Sequence, residues 1–255
     1  MIQISNVEVA GWEAAIRGMR NPMNSWARSD SMFVDGPDGY HDIFGEGHMA
    51  EISGNVGNGD LLGPYDHKLM MWLADGGPVH AKYRRMIVVY ADILAPLYWW
   101  KEFDTYKVGT VANSCSTMHK IQAKEFTVED FSCEHLMEDV IKDSDEEQYN
   151  YFFCGTDQQF RASYKTALDI IIDVLNHARR MYLKTNDKRY WWQMIQLLPS
   201  SYNQLRTVML NYEVLHHMYY SPRWNHKLDE WREFCQWIKT LPYSEIIVGE
   251  SLSEA

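Results

Sequence analysis

Several groups of side chains in this sequence have the types and spacing to do chemistry. Cys115 and His119 stand four residues apart, so a helix would place them on one face as a thiol nucleophile and its base. The segment that holds them, GTVANSCSTM, is polar and contains Gly109, and no third group marks an orienting partner. Ordinary turn residues fit it as well. His41, His48 and His67 lie in or near a glycine-rich stretch with Asp35, Asp38, Asp42 and Glu46. Such mixtures can hold a metal, but this spacing matches no standard ligand set, and solvated loop side chains are the alternative. Glu213 precedes His217 by four residues, so on a helix the two share a face and can pair. Lys101, Lys107 and Lys120 bracket Ser114, Ser116 and Thr117. Hydroxyls, backbone N–H groups and nearby cations make a phosphate seat; turn hydroxyls and surface lysines are the plainer reading.

The elements that must position these residues follow from pattern. Residues 4–10 alternate as a strand, and 12–20 (WEAAIRGMR) read as a short helix. Residues 33–65 carry eight glycines, the density of a long irregular loop. They contain neither a P-loop nor a strand-flanked dinucleotide fingerprint. Residues 65–75 predict a helix stopped by Gly76-Gly77-Pro78, and the β-branched run 86–94 predicts a strand. Pro96 then opens a helix over 97–107. Helices are further expected over 128–141, over 160–184, from Pro199 to Tyr220, and over 226–240. The tail, 243–255, is acidic and expected to fray. No linker or repeat divides the chain, so one domain over 1–255 is expected.

Composition narrows the function classes. The chain has 255 residues, 46% hydrophobic, enough for a real core. Its net charge of −11 repels phosphate backbones, so no nucleic-acid partner is expected. A small nucleotide in a local basic pocket remains compatible. The four cysteines, Cys115, Cys133, Cys154 and Cys235, show no CxxC spacing, so neither a zinc site nor a disulfide framework is indicated. The first residues lack a basic segment followed by an apolar run, and no stretch reaches eighteen apolar residues. A cytoplasmic protein without a membrane span is the expectation.

Over roughly residues 6–235, with the stretch 33–65 outside it, the chain resembles the flavin-dependent thymidylate synthase family. That family carries a strand, a helix ending in Arg-His-Arg, and a loop: RHRxxSxNExSxR. Here MIVVYADILAP leads into LYWWKEFDTYK and then VGTVANSCSTMH. Asn113 and Ser116 fall on the motif's Asn and second Ser, and with one residue inserted Thr105, Tyr106 and Lys107 fall on Arg-His-Arg. Glu102 matches the Gln that usually precedes the motif. Flanking marks keep order: Arg17 and Arg20 in AxRxxR, His80 sixteen residues before Pro96, Leu198-Pro199 with Asn211 thirteen after the Leu, then Arg223 and Glu230. The pattern departs at Ser114 for Glu, Met118 for Arg, and Arg85-Met86 for a Glu-His pair.

This resemblance implies an α/β (α+β) fold, a mostly antiparallel sheet flanked by helices. It implies FAD as cofactor, with methylenetetrahydrofolate and NADPH as co-substrates, a dUMP-like pyrimidine nucleotide as substrate, and a homotetramer. Carried residue by residue, it assigns cofactor contacts to His80, Tyr106, Lys107, Asn211, Glu213 and His217. It assigns substrate contacts to Glu102, Thr105, Ser114, Ser116 and Thr117, and polarisation of the pyrimidine to Arg223. The lost arginines predict weaker bidentate phosphate contacts, since Lys107 supplies charge but not fork geometry. Two functions follow: reductive methylation of dUMP to dTMP, or a non-catalytic homologue that binds a nucleotide or a protein partner.

Overall fold

The apolar run near residue 90 does form a strand, and its burial shows why. Val89, Ala91, Ile93 and Ala95 are buried, while the residues between them are less so, the period-two pattern of a sheet with one face packed. The computed structural model describes residues 2–34, 39–41, 60–138, 151–153, 159–161, 163–221 and 223–249. The chain divides into two compact units. One comprises Ala95–Trp100 and Ser114–Leu205, the other Ile2–Leu94, Lys101–Asn113 and Arg206–Ala255.

The second unit begins with β1 (Gln3–Ala10), which pairs antiparallel with β4 (Val88–Pro96). Gly11 ends β1 at φ 94°, and a Cβ there would lie 2.1 Å from the Met86 carbonyl oxygen, so the turn into α1 (Trp12–Arg20) requires glycine. Trp12, Ala15 and Ile16 make the buried stripe of that helix. Short strands β2 (Phe33–Val34) and β3 (Tyr40–His41) pair with each other. Helix α2 (Pro64–Asp75) matches the helix expected over 65–75 and begins one residue earlier, on a proline whose missing N–H costs nothing in the first turn. The rest of the 33–65 glycine-rich stretch lies mainly outside the described residues.

After β4 come α3 (Leu97–Phe103) and β5 (Thr110–Ser114). Helix α3 is shorter than the 97–107 expected. Past Phe103 the backbone tightens to i→i+3 bonds, Thr105 N–H to the Glu102 carbonyl and Tyr106 N–H to that of Phe103. The Thr105 hydroxyl donates to the Glu102 carbonyl as well (2.7 Å), a local bond that competes with helix. The other unit supplies α4 (Thr117–Lys120), the paired strands β6 (Tyr151–Phe153) and β7 (Gln159–Arg161), α5 (Tyr164–Thr185) and α6 (Lys188–Leu197). Ser163 and Thr166 form a capping box that sets the start of α5, so the helix begins after β7 rather than at 160. Its core gathers Phe126, Phe131, Leu168, Ile172, Leu175 and Met194. The helix expected over 128–141 is not formed among the described residues of that span. Only Val128–Asp130 make a single 3-10 turn, because Phe131 is extended and bridges to Tyr202.

The largest correction concerns 200–220. Residues Asn203–Asn211 form strand β8, and only Tyr212–Tyr220 form helix α7. The order in the four-stranded sheet is β1-β4-β8-β5. Burial alternates at Val208 and Leu210 with the residues between them, a strand period that Pro199 and its capping serines masked. Tyr212 N–H donates to the Ile87 carbonyl (3.0 Å) and Asn211 N–H to the Gly109 carbonyl (3.1 Å) at the strand's end. Helices α8 (Asp229–Ile238) and α9 (Glu245–Val248) follow. The tail corrects a second expectation: Ile246, Ile247 and Val248 are buried, and Glu245 bonds His67 at 2.8 Å, so this part of 243–255 is packed rather than frayed. Among the described residues no helix is long and apolar enough to cross a membrane.

Candidate functional site

Four segments of one unit converge. The last turn of α3 presents Glu102, the loop into β5 carries Thr105, Tyr106 and Lys107, β8 runs out at Asn211, and α7 presents Glu213 and His217. Asn211 is both strand end and helix cap: its Oδ1 accepts from Val214 N–H at 2.9 Å. Arg223 follows in a single 3-10 turn, and Trp231 sits on α8.

The first constellation centres on one carboxylate oxygen. Glu102 Oε2 lies 2.5 Å from Arg223 Nη1, 3.0 Å from Trp231 Nε1 and 3.5 Å from His226 Nε2. Arg223 Nε also donates to the Tyr106 hydroxyl oxygen at 3.0 Å, and its guanidinium carbon lies 4.4 Å from the centroid of the Trp231 ring. The Arg223 side chain is only 16% exposed. A guanidinium fixed on three sides and largely withdrawn from water keeps donors for an incoming oxygen; among the described residues Nη2 has no hydrogen-bond partner. Such a group can polarise a carbonyl without reorganising when charge develops.

The second constellation is a cavity of about 440 Å³. Thr105, Tyr106, Lys107, Asn211, Glu213 and His217 line it, together with Arg85 and Ser221. Glu213 is 6% exposed. Its Oε1 lies 3.2 Å from His217 Nε2, the pairing its spacing predicts. Its Oε2 has no hydrogen-bond partner, and Arg84 Nη1 stands 3.8 Å away. Gly109 sits beneath Asn211 at φ 81°, where a Cβ would come within 2.6 Å of Asn211 Nδ2. Gly109→Ala is therefore expected to strain the turn and displace Asn211, lowering ligand affinity of this cavity about tenfold, a change of about 1.4 kcal/mol. Equilibrium titration of the variant against the parent chain checks it, and unchanged affinity would show that Asn211 does not depend on this contact.

The structure thus brings Tyr106, Lys107, Asn211, Glu213 and His217 to one cavity, and joins Glu102 and Arg223 in one ion pair. His80 is not there; it lines a separate, apolar cavity of about 750 Å³ with Met19, Trp72 and Val79. Ser114, Ser116 and Thr117 belong to the other unit. Ser114 closes β5, Ser116 accepts from His119 N–H at 3.0 Å as the cap of α4, and Thr117 is the first residue of that helix. Cys115 precedes α4, so the helical alignment with His119 is not formed. Burial pushes the Cys235 thiol up to about 12, which removes it as a thiolate nucleophile. Lys101 and Lys120 are exposed. Of the loop histidines, His67 is held by Glu245, His41 Nε2 lies 3.8 Å from Glu13 Oε1, and His48 lies outside the described residues with Asp35, Asp38, Asp42 and Glu46. Among the described residues no group of three or more His, Cys, Asp or Glu is placed to hold a metal ion.

Sequence reasoning missed three contributors. His226 and Trp231 carry no local signal, since both reach Glu102 from more than a hundred residues away. Arg85 had one: it is the residue where the Glu-His pair of the family pattern is replaced.

No protein-family model matches the chain, and no curated protein matches it in sequence. Solved structures do. A crystal structure of thymidylate synthase X from Helicobacter pylori with FAD and dUMP is 12% identical, with a TM-score of 0.57 over 96% of each chain. A second, of the flavin-dependent thymidylate synthase of the same organism complexed with FAD and dUMP, is 14% identical, with a TM-score of 0.55 over 95% of this chain and 96% of that one. At these identities the likeness is one of fold. An antiparallel sheet flanked by helices, matched over nearly the whole length, gives this chain the fold of flavin-dependent thymidylate synthase.

Proposed function

We propose that this chain is a flavin-dependent enzyme that methylates a pyrimidine nucleotide, converting dUMP to dTMP with methylenetetrahydrofolate as carbon donor and NADPH as reductant. The observation that carries the reading is the cavity itself. Tyr106, Lys107, Asn211, Glu213 and His217 come from separate parts of the sequence, and all five line it. Its size, about 440 Å³, falls within the roughly 300–1,000 Å³ usual for small-molecule sites. Its residues also fit a flavin: the cations Lys107 and Arg85 suit phosphate, and Asn211 and His217 suit the polar edge of the ring. FAD would be held by these residues, and in its reduced form it supplies hydride.

The chain's own part is positioning. Glu102 fixes the Arg223 guanidinium, Trp231 packs against it, and Arg223 offers its free donors to a pyrimidine carbonyl. Tyr106 bonds Arg223 and also lines the cavity, so one side chain links the two constellations. No cysteine nucleophile is required, in keeping with the buried, protonated Cys235. The working form is proposed to be a cytoplasmic homotetramer.

A second reading has one observation in its favour. Thr105, Ser114 and Met118 stand where the family motif has Arg, Glu and Arg, so the chain can be a homologue that binds a nucleotide, or a protein partner, without turning over. Purified protein mixed with FAD and desalted should stay yellow, and with dUMP, methylenetetrahydrofolate and NADPH should form dTMP. Loss of the flavin on desalting would overturn the proposed enzyme. Retained flavin and bound nucleotide without dTMP would select the second reading.

A further inference from the structure

We infer that His226 is a positioning residue for Arg223: it closes the turn that carries the guanidinium and steadies the carboxylate that holds it. The inference rests on the proposed reading of Arg223 as the group that polarises a pyrimidine carbonyl, and adds what sets its place. His226 stands between the 3-10 turn Arg223–Asn225 and helix α8. Its backbone N–H donates to the Arg223 carbonyl at 3.2 Å, which ends that turn. Its Nδ1 accepts from the Leu228 N–H at 3.1 Å. Leu228 is the N-cap of α8, so the chain enters that helix on a bond that His226 supplies.

That bond also decides where the ring carries its proton. An imidazole nitrogen that accepts a hydrogen bond has none of its own. With Nδ1 engaged by Leu228, the proton of the neutral ring is on Nε2, the nitrogen 3.5 Å from Glu102 Oε2. The backbone therefore selects the tautomer that offers a donor to the carboxylate. At 3.5 Å this contact is longer than a full hydrogen bond. The same oxygen takes Arg223 Nη1 at 2.5 Å and Trp231 Nε1 at 3.0 Å, so His226 adds a third and weaker donor to it. The His226 ring stands edge-on to that of Trp231, with centroids 6.4 Å apart. The three donors come from the 3-10 turn, from α8 and from the joint between them, so Glu102 ties Arg223 to the helix that follows it. A histidine that only closed the turn would need Nδ1 alone. The Nε2 contact is what couples it to Arg223.

Two substitutions separate the nitrogens. Asparagine sets an amide oxygen where Nδ1 stands and nothing at Nε2; glutamine sets an amide N–H near Nε2 and nothing at Nδ1. The full chain, labelled with nitrogen-15 in histidine and arginine, is read by NMR at neutral pH, beside steady-state turnover of dUMP and urea unfolding. In the parent chain His226 should carry its proton on Nε2. His226→Asn should keep the urea midpoint and the KM for dUMP, lower kcat about 3–10-fold, and speed hydrogen exchange of the Arg223 Nε–H by a similar factor, the range of one net hydrogen bond. His226→Gln should recover most of kcat and of the slow exchange while lowering the midpoint. A proton on Nδ1 in the parent chain would overturn the inference before any variant is made. Parental kcat and exchange in His226→Asn would overturn the coupling to Arg223. A kcat that falls in step with the urea midpoint in both variants would leave His226 a turn residue and overturn it equally. A parent chain that forms no dTMP would overturn the proposed function, and the exchange of Arg223 would still decide the role of His226.

Discussion

Arg223→Ala should lower turnover of dUMP by about 10²–10³-fold while flavin affinity stays unchanged. The fall is of the size seen when one preorganised donor to a developing charge is removed. Arg223 is held by Glu102 at 2.5 Å and by the Tyr106 hydroxyl at 3.0 Å, and it lies against the Trp231 ring, so little motion is needed before it acts. It does not line the cavity of Lys107, Asn211 and His217, which is why cofactor binding should not change. Arg223→Lys should recover only part of the rate, because an ammonium keeps the charge but neither the fork nor the flat face against Trp231. Glu102→Gln keeps an acceptor for the guanidinium and should cost less than Arg223→Ala. The measurement is steady-state turnover beside a flavin titration. Unchanged turnover in Arg223→Ala would remove Arg223 from the chemistry, and lost flavin affinity would place it in the cofactor seat instead.

The second large effect is on stability, through Asp66→Ala. Asp66 is fully buried on α2, and its Oδ1 lies 2.6 Å from Nε of Arg20, which is itself 4% exposed. Its Oδ2 accepts from the hydroxyls of Ser29 at 2.6 Å and Ser31 at 2.7 Å, and from the backbone N–H groups of Asp30 and Ser31. One carboxylate thus ties the end of α1, the segment after it and the start of α2. Asp30 completes the joint by accepting from the N–H groups of Tyr65 and Asp66, and burial raises its carboxyl above the usual carboxylate range. Removing Asp66 leaves a buried guanidinium and several buried donors without an acceptor, so a loss of about 3–5 kcal/mol is expected. Urea unfolding of the variant, read as a lower midpoint at unchanged slope, measures it. A loss below about 1 kcal/mol would mean that the joint relaxes to water and contributes little. Arg20 therefore serves the fold, whereas Arg17, paired with Glu13 on the surface, is exposed.

Local chemistry wrote much of this architecture into the sequence. The helix Trp12–Arg20, the proline-started helix Pro64–Asp75 and the strand Val88–Pro96 stand close to where periodicity and stop signals put them. The Glu213–His217 pair followed from helical spacing alone. The offsets of Tyr106, Lys107, Asn211 and His217 within a resembled motif were enough to pick residues that share a cavity. Each of these is settled by neighbours within a turn or a strand, or by order along the chain. Asn203–Asn211 was not legible in that way. Its capping signals favoured helix, and pairing within the sheet, a long-range event, made it a strand. The same holds for the chemistry at Glu102. Its partners Arg223 and Trp231 lie 121 and 129 residues away in sequence, and only packing brings their donors to one oxygen. Arg85 entered the cavity by the same route, as a cation whose place is set by the turn that carries it rather than by any motif. Sequence determined the elements and the candidate side chains, because backbone propensity and spacing act locally. Tertiary structure alone decided which charges meet and which stay unpaired, because desolvation and hydrogen-bond geometry depend on groups the chain joins only when folded.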